Sequence, residues 1–124
     1  MLFRSNAADA STKRRLPDVQ AFAFDDGFVA TAPVGRFRAN GFGLHDMTGN
    51  AFEWCLDRYS PDFYAQSRAR DPNPAHTGGV GFAVLRGGGW RSGPQSFRSA
   101  DRSRGDPEAS DPATGFRVAR MAGK

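Results

Sequence analysis

Gly41-Phe42-Gly43-Leu44-His45-Asp46-Met47-Thr48-Gly49-Asn50-Ala51-Phe52-Glu53-Trp54-Cys55 is the stretch on which the reading of this chain turns. Glycines punctuate it, and glycine admits tight or left-handed backbone that other residues resist. Side-chain oxygens recur every three or four residues, at Asp46, Asn50 and Glu53. Such oxygens suit a hard cation such as calcium. Phe42, Phe52 and Trp54 interleave with them and supply packing area. Two readings compete for these residues. In one, Asp46, Asn50 and Glu53 bend around a cation, with the Gly49 carbonyl accessible. In the other, Thr48 or Asn50 caps a short helix across 51–56, with Glu53 at its third position. The spacing is not that of an EF-hand loop.

Outward from that stretch, the chain reads as a single loop-rich domain. Its 124 residues suffice for one core of limited margin. A share of 39% apolar residues sustains a core, while 15 glycines and 8 prolines suit short strands and turns better than a helical bundle. No helical periodicity is sustained outside 51–56. Strands are expected at 81–86 and, with the cleanest alternation, at 115–120; a weaker strand pattern covers 95–102. Ala21-Phe22-Ala23-Phe24 is a short alternating run closed by the turn signal Asp25-Asp26-Gly27. Residues 1–20 carry no evident element, and 57–77 read as a long loop. Pro33 keeps the extended stretch 31–37 off a central strand.

Composition removes several function classes. Net charge is +4. Arg86, Arg91, Arg98, Arg102 and Arg104 fall in one segment, but Asp101 and Asp106 sit among them. Interleaved signs predict internal ion pairs and no nucleic-acid partner. The single Cys55 forbids an intrachain disulfide and, following Trp54, reads as a small buried apolar residue. His45 and His76, far apart and with one cysteine, spell out no zinc cluster. Gly87-Gly88-Gly89 matches no phosphate loop and reads as a bulge or a close backbone approach. No Gly-x-Ser-x-Gly elbow occurs. No apolar run reaches membrane-spanning length, and no membrane partner is expected.

Six segments in order then carry a family. They are Thr31-Ala32-Pro33-Val34-Gly35, the Asn40–Asn50 run, Glu53-Trp54-Cys55, Leu85-Arg86-Gly87-Gly88-Gly89-Trp90, Arg98-Ser99-Ala100 and Gly115-Phe116-Arg117. Together they resemble the formylglycine-generating enzyme family, the sulfatase-modifying-factor superfamily that also contains ergothioneine-biosynthetic sulfoxide synthases. The likeness runs over roughly 6–120. It implies an α+β fold rich in irregular structure and related to the C-type lectin fold. Residues 1–124 would form one such domain, truncated on its N-terminal side, with the missing half as its partner and apolar surface left exposed. It also implies structural calcium. One site would take Asp46, the Gly49 and Ala51 carbonyls and Glu53. A second would take Asn6, the Ala7 carbonyl, Asp26 and the Phe28 carbonyl.

The resemblance also shows where this chain departs. Family enzymes place two copper-binding cysteines shortly after an Arg-Gly-Gly-Ser motif. Here the segment reads Trp90-Arg91-Ser92-Gly93-Pro94-Gln95-Ser96-Phe97, without cysteine, and the motif's serine is Gly89. A hydroxyl does not replace a thiolate as a Cu(I) ligand. Copper is therefore not expected, and no catalytic residue is assigned. The expected function is a formylglycine-generating-enzyme-like binding or accessory domain with a peptide or protein ligand. The alternatives are an oxygen-dependent oxidoreductase of the superfamily that uses a missing N-terminal part, for sulfatase cysteine oxidation or ergothioneine-type sulfoxide synthesis, and a lectin-fold ligand-display protein.

Overall fold

A computed structural model describes residues 5–65, 77–78 and 80–120. Helix α1 (Ala10–Arg15) comes first, and a long irregular stretch leads to strand β1 (Phe52–Arg58). A 3-10 turn at Phe63–Ala65 precedes β2 (Ala83–Arg86), and another at Pro94–Phe97 precedes β3 (Ser103–Gly105) and β4 (Thr114–Gly115). The strands form one sheet in the order β3-β2-β1-β4. β2 is antiparallel to both neighbours, and β4 runs parallel to β1. One short helix beside a mixed sheet is the α+β arrangement expected. Among the described residues no helix is long and apolar enough to cross a membrane.

Within 51–56 the residues from Phe52 on are strand, not helix, and their side chains show why. Phe52 lies against Gly89 and Ala113, and Trp54 lies against Gly105 and Leu85. Glu53 reaches Arg117 instead. Two aromatics two residues apart find packing, and that period belongs to a strand. Asn50 does not cap anything; its φ is 67° and its side chain is engaged elsewhere. The strand is not regular. Trp54 pairs with Leu85 and Arg58 with Ala83, so β1 holds two more residues than β2 over that interval, a bulge.

Other elements shift for equally local reasons. Residues 1–20 do contain a helix, α1, started by Asp9, whose carboxylate accepts the amides of Ser11 and Thr12. Six residues are too few to leave a periodic signature. Lys13, Arg14 and Arg15 occupy its last turn, where the helix end favours cations. The run 21–24 forms no strand. Its Phe22 amide bonds to Ala8 O at 2.7 Å and its Phe24 carbonyl accepts the Ala10 amide at 2.9 Å, which ties it to the start of α1. Within 95–102, Pro94 opens a 3-10 turn, and Phe97 meets Phe22 edge-on at 5.4 Å. The strand comes later, at 103–105. The alternating tail 115–120 gives only the two-residue β4, because Phe116 and Val118 are 79% and 83% exposed and have no core to face. The expected loop 57–77 includes the end of β1 and the Phe63–Ala65 turn. Its residues 66–76, His76 among them, lie outside the described residues.

The buried apolar set is small and rich in alanine: Ala7, Ala8, Ala32, Ala83 and Ala113, with Phe63, Val84 and Leu85. Polar cross-links therefore do much of the positioning. The Asn50 amide donates to Asn6 O at 2.8 Å, and Asn50 O accepts the Trp90 amide at 2.9 Å. Its Oδ1 accepts the Ala32 amide at 2.8 Å, and its Nδ2 donates to Ala32 O at 3.2 Å. The Gly49 amide donates to Gly87 O at 2.7 Å. One loop thus binds the segments around 6, 32 and 87–90 together. Gly49 has φ +80°, and a Cβ there would run into the Asn6 carbonyl oxygen and crowd the Phe97 ring.

Two outcomes follow for stability. Gly49→Ala is expected to cost at least about 2 kcal/mol, from left-handed backbone plus the clash. Asp9→Ala is expected to cost about 1–2 kcal/mol, whereas Asp9→Asn, which still caps, costs less. Urea midpoints at unchanged slope report both.

Candidate functional site

Three arrangements contain the chemistry-bearing residues. The first is centred on Glu53. Arg117 Nε lies 3.0 Å from each Glu53 carboxylate oxygen, and Arg117 Nη2 donates to Glu53 Oε1 at 2.6 Å. The same Nη2 donates to the carbonyls of His45 at 3.0 Å and Asp46 at 3.3 Å. The Asp46 carboxylate accepts the Gly35 amide at 2.6 Å. The structure therefore brings Asp46 and Glu53 to one place, with Gly49 and Ala51 on either side of Asn50 between them, and sets a guanidinium among their oxygens. The hydrogen bonds that Arg117 donates to the Glu53 carboxylate hold its pKa above the ordinary value. Arg117 stood in the quoted Gly115-Phe116-Arg117 segment, but nothing in its local sequence indicates a partner more than sixty residues away.

The second arrangement joins the first through Asn6, whose Nδ2 lies 3.3 Å from Asn50 Oδ1. Asn6 is fully buried. Its Nδ2 donates to Ala30 O at 2.6 Å, while its Oδ1 has no hydrogen-bond partner. The Asp26 carboxylate accepts the Ala7 amide at 3.1 Å and the Phe28 amide at 2.8 Å. The Phe28 carbonyl accepts Ser11 Oγ at 3.0 Å. Thus Asn6, Ala7, Asp26 and Phe28 lie together despite their separation in sequence. Asp9 is the member that sequence reasoning missed; it also accepts the Asp26 amide. The available signal was Asp9 two and three residues ahead of Ser11 and Thr12, the pattern of a helix cap.

The two carboxylates titrate in opposite directions. Burial raises the Asp26 pKa, and the charge of Asp9 raises it further, outweighing the amides of Phe28 and Ala7. Burial also opposes ionisation of Asp9, but the Asp26 amide, the Ser11 hydroxyl and the Thr12 and Ser11 amides outweigh it and lower its pKa. Among the described residues no three His, Cys, Asp or Glu side chains converge as a metal cluster. The donors near Asn6 are instead two carboxylates, an amide oxygen and carbonyls, a set suited to a hard cation.

The third arrangement is a cleft of roughly 470 Å³ between the sheet and the 105–114 loop. Phe52 and Trp54 line it together with Arg91, Ser92, Arg104 and Asp111. Arg91 and Asp111, both in its lining, form an ion pair. The Ser92 hydroxyl accepts the Gly89 amide at 3.0 Å. Gly89 itself is closely confined: a Cβ there would stand 3.0 Å from Ala113 O and 3.3 Å from the Phe52 ring. The serine of the family motif would meet those atoms. Cys55 is half-buried on β1 and does not line the cleft. Burial, then the charge of Asp57, pushes its thiol pKa up, the opposite of an activated cysteine.

Of the arginines around 86–104, Arg91 and Arg98 do form ion pairs, with Asp111 and Asp101. Arg86 instead donates to the carbonyls of Asp101 at 2.6 Å and Ser99 at 2.7 Å.

The chain is similar to known proteins. Residues 4–122 match the family model described as sulfatase-modifying factor enzyme 1-like domain. The chain is 43% identical over 101 residues to the formylglycine-generating enzyme of Streptomyces coelicolor, a match covering 79% of this chain and 32% of that protein. It is 42% identical over 90 residues to the serine/threonine-protein kinase pkn1 of Chlamydia caviae, covering 73% of this chain and 15% of that protein. Among solved structures, PvdO from Pseudomonas aeruginosa superposes with a TM-score of 0.67 at 31% identity, over 78% of this chain and 36% of that one. The chain thus spans about a third or less of the length of these relatives. With the family's segments in order on one α+β frame, the chain belongs to the sulfatase-modifying factor enzyme 1-like family of the formylglycine-generating enzyme superfamily.

Proposed function

We propose that this chain serves as a binding or accessory domain, of lectin-related architecture, without copper-dependent cysteine oxidation. The observation that supports this reading is the wall of the cleft. Ser92 presents a hydroxyl bonded to the Gly89 amide, Gly89 has no room for a side chain, and the chain's one thiol lies elsewhere with its pKa raised. A Cu(I) site needs soft thiolates. The cleft that is left has an aromatic floor of Phe52 and Trp54 and a charged pair, Arg91 and Asp111, at its side. Aromatic anchors with a few polar groups suit a peptide or protein segment. A stretch like this one inside a protein named as a kinase also supports its use as a module. The rival reading, an oxygen-dependent oxidoreductase, draws on the identity to a formylglycine-generating enzyme.

Calcium is part of the same proposal. Asn6, Ala7, Asp26 and Phe28 would hold one ion, and the partnerless Asn6 Oδ1 is the oxygen that favours it. A buried acceptor left unsatisfied costs about 1–3 kcal/mol. The ion would supply positive charge next to Asp9 and Asp26. A second ion would use Asp46, Gly49, Ala51 and Glu53, and there it would share Glu53 with Arg117.

Three outcomes are expected. An aerobic assay with copper and a Cys-x-Pro-x-Arg peptide yields no formylglycine, and product would establish the oxidoreductase instead. Calcium raises the melting temperature by several degrees; Asn6→Ala and Asp26→Asn remove that rise, and Glu53→Gln reports the second ion separately. With calcium chelated, Asp26 and Asp9 act oppositely on stability. Asp26, whose folded pKa is raised, contributes stability below its ordinary value of 3.8 that is lost as pH rises through the raised value. Asp9, whose folded pKa is lowered, contributes stability above 3.8 that is lost as pH falls. Acid titrations of Asp9→Asn and Asp26→Asn by circular dichroism separate the two signs.

A further inference from the structure

At the β3 edge of the sheet, aromatic rings and guanidinium groups alternate. The Arg102 guanidinium carbon lies 4.8 Å from the Tyr64 ring centroid and 5.2 Å from that of Tyr59. The Arg104 carbon lies 5.5 Å from Tyr59 and 5.2 Å from Phe82. The stack therefore runs Tyr64, Arg102, Tyr59, Arg104, Phe82. Neither arginine belongs to an ion pair among the described residues, whose pairs are Arg14–Asp25, Arg91–Asp111, Arg98–Asp101 and Arg117–Glu53. The neighbouring carboxylates are engaged elsewhere. Asp101 pairs with Arg98, and Asp106 accepts the Glu108 amide at 3.0 Å. Arg102 makes one further bond, from Nη1 to Ser60 O at 3.2 Å.

A guanidinium stacked against rings has its faces covered and its planar N–H edge available. That edge suits an oxyanion, which it can take in a two-pronged bond. Arg102 and Arg104 are two residues apart on extended chain, a separation of about 6.6–6.8 Å. Alternate residues of any extended peptide have the same spacing. Among the described residues β3 is also an edge strand, where a further strand can add. Single-stranded nucleic acid fits less well, because it stacks bases on open ring faces. Here both guanidiniums lie at the Tyr59 ring, and Tyr64 and Phe82, though 56% and 49% exposed, each have a guanidinium over them.

We propose that this edge is a docking strip for an extended acidic peptide, with alternate carboxylates on Arg102 and Arg104 and its backbone alongside β3. The strip makes no use of Ser92 or Gly89, although Arg104 also lines the cleft in which Ser92 lies. Formylglycine production would overturn the proposed function and leave the strip standing.

Fluorescence anisotropy with labelled octaglutamate, a neutral glycine-serine octapeptide and an oligothymidylate tests it. Octaglutamate is expected to bind in preference to both others, with affinity that falls as salt rises. Arg102→Met with Arg104→Met should weaken it at least about tenfold, while Arg14→Met with Arg15→Met leaves it unchanged. Phenylglyoxal labelling of the unaltered protein, read by mass spectrometry, gives a measure independent of the variants' folding: bound octaglutamate should protect Arg102 and Arg104. Equal binding of the neutral peptide would overturn the acidic specificity. Tighter binding of oligothymidylate would assign the strip to nucleic acid. Absence of binding or of protection would reduce the arginines to guards against edge pairing.

Discussion

Everything else in this fold depends on the contact between Gly49-Asn50 and Asn6. The apolar core is too small to position four chain segments by packing alone. Hydrogen bonds from a two-residue unit do it instead. Gly49 lets the backbone pass against the Asn6 carbonyl where a side chain would not fit. Asn50 then spends its amide on Asn6 O, its carbonyl on the Trp90 amide and its side chain on both backbone groups of Ala32. Such bonds in a partly buried setting are costly to leave unmade, so one loop sets the place of three other segments at once.

Charge is managed on both sides of that contact, in different ways. On the Glu53 side, opposite charges meet directly: Arg117 takes both carboxylate oxygens and two neighbouring carbonyls. On the Asn6 side, no such cation stands among the hydrogen bonds of the described residues. Asp9 keeps its charge through amide and hydroxyl donors, while Asp26 is driven toward its neutral form by burial and by Asp9. The partnerless oxygen of Asn6 belongs to this second side. The asymmetry explains why the two proposed calcium positions differ in what an ion must displace.

Much of the site was legible because its residues advertise themselves. Asp46, Gly49, Asn50 and Glu53 carry a glycine and oxygen pattern that marks a bent, polar loop, and both Asp46 and Asn50 do adopt positive φ. The β2 strand was legible as a short apolar run. The family was legible from ordered motifs. What was misread shares a cause. Phe52 and Trp54 lie within a window short enough for either a helical or a strand period, and only the surfaces of Gly89, Ala113, Gly105 and Leu85 decide between them. The alternating tail after Gly115 looks like a strand, yet a pattern cannot supply the face against which to bury it.

By itself the sequence determined the elements of chemistry: one thiol, no cysteine after the glycine triplet, a polar glycine loop, and an arginine-rich segment with acids interspersed. Those follow from residue identity, which no folding alters. Only the tertiary structure decided which partners those groups meet. It placed Arg117 on Glu53, Asp9 beside Asp26, and Arg102 and Arg104 among aromatic rings and outside the ion pairs of the described residues. These partners lie far apart along the chain. Their meeting depends on how loops close around a small sheet, and local spacing carries no record of that closure.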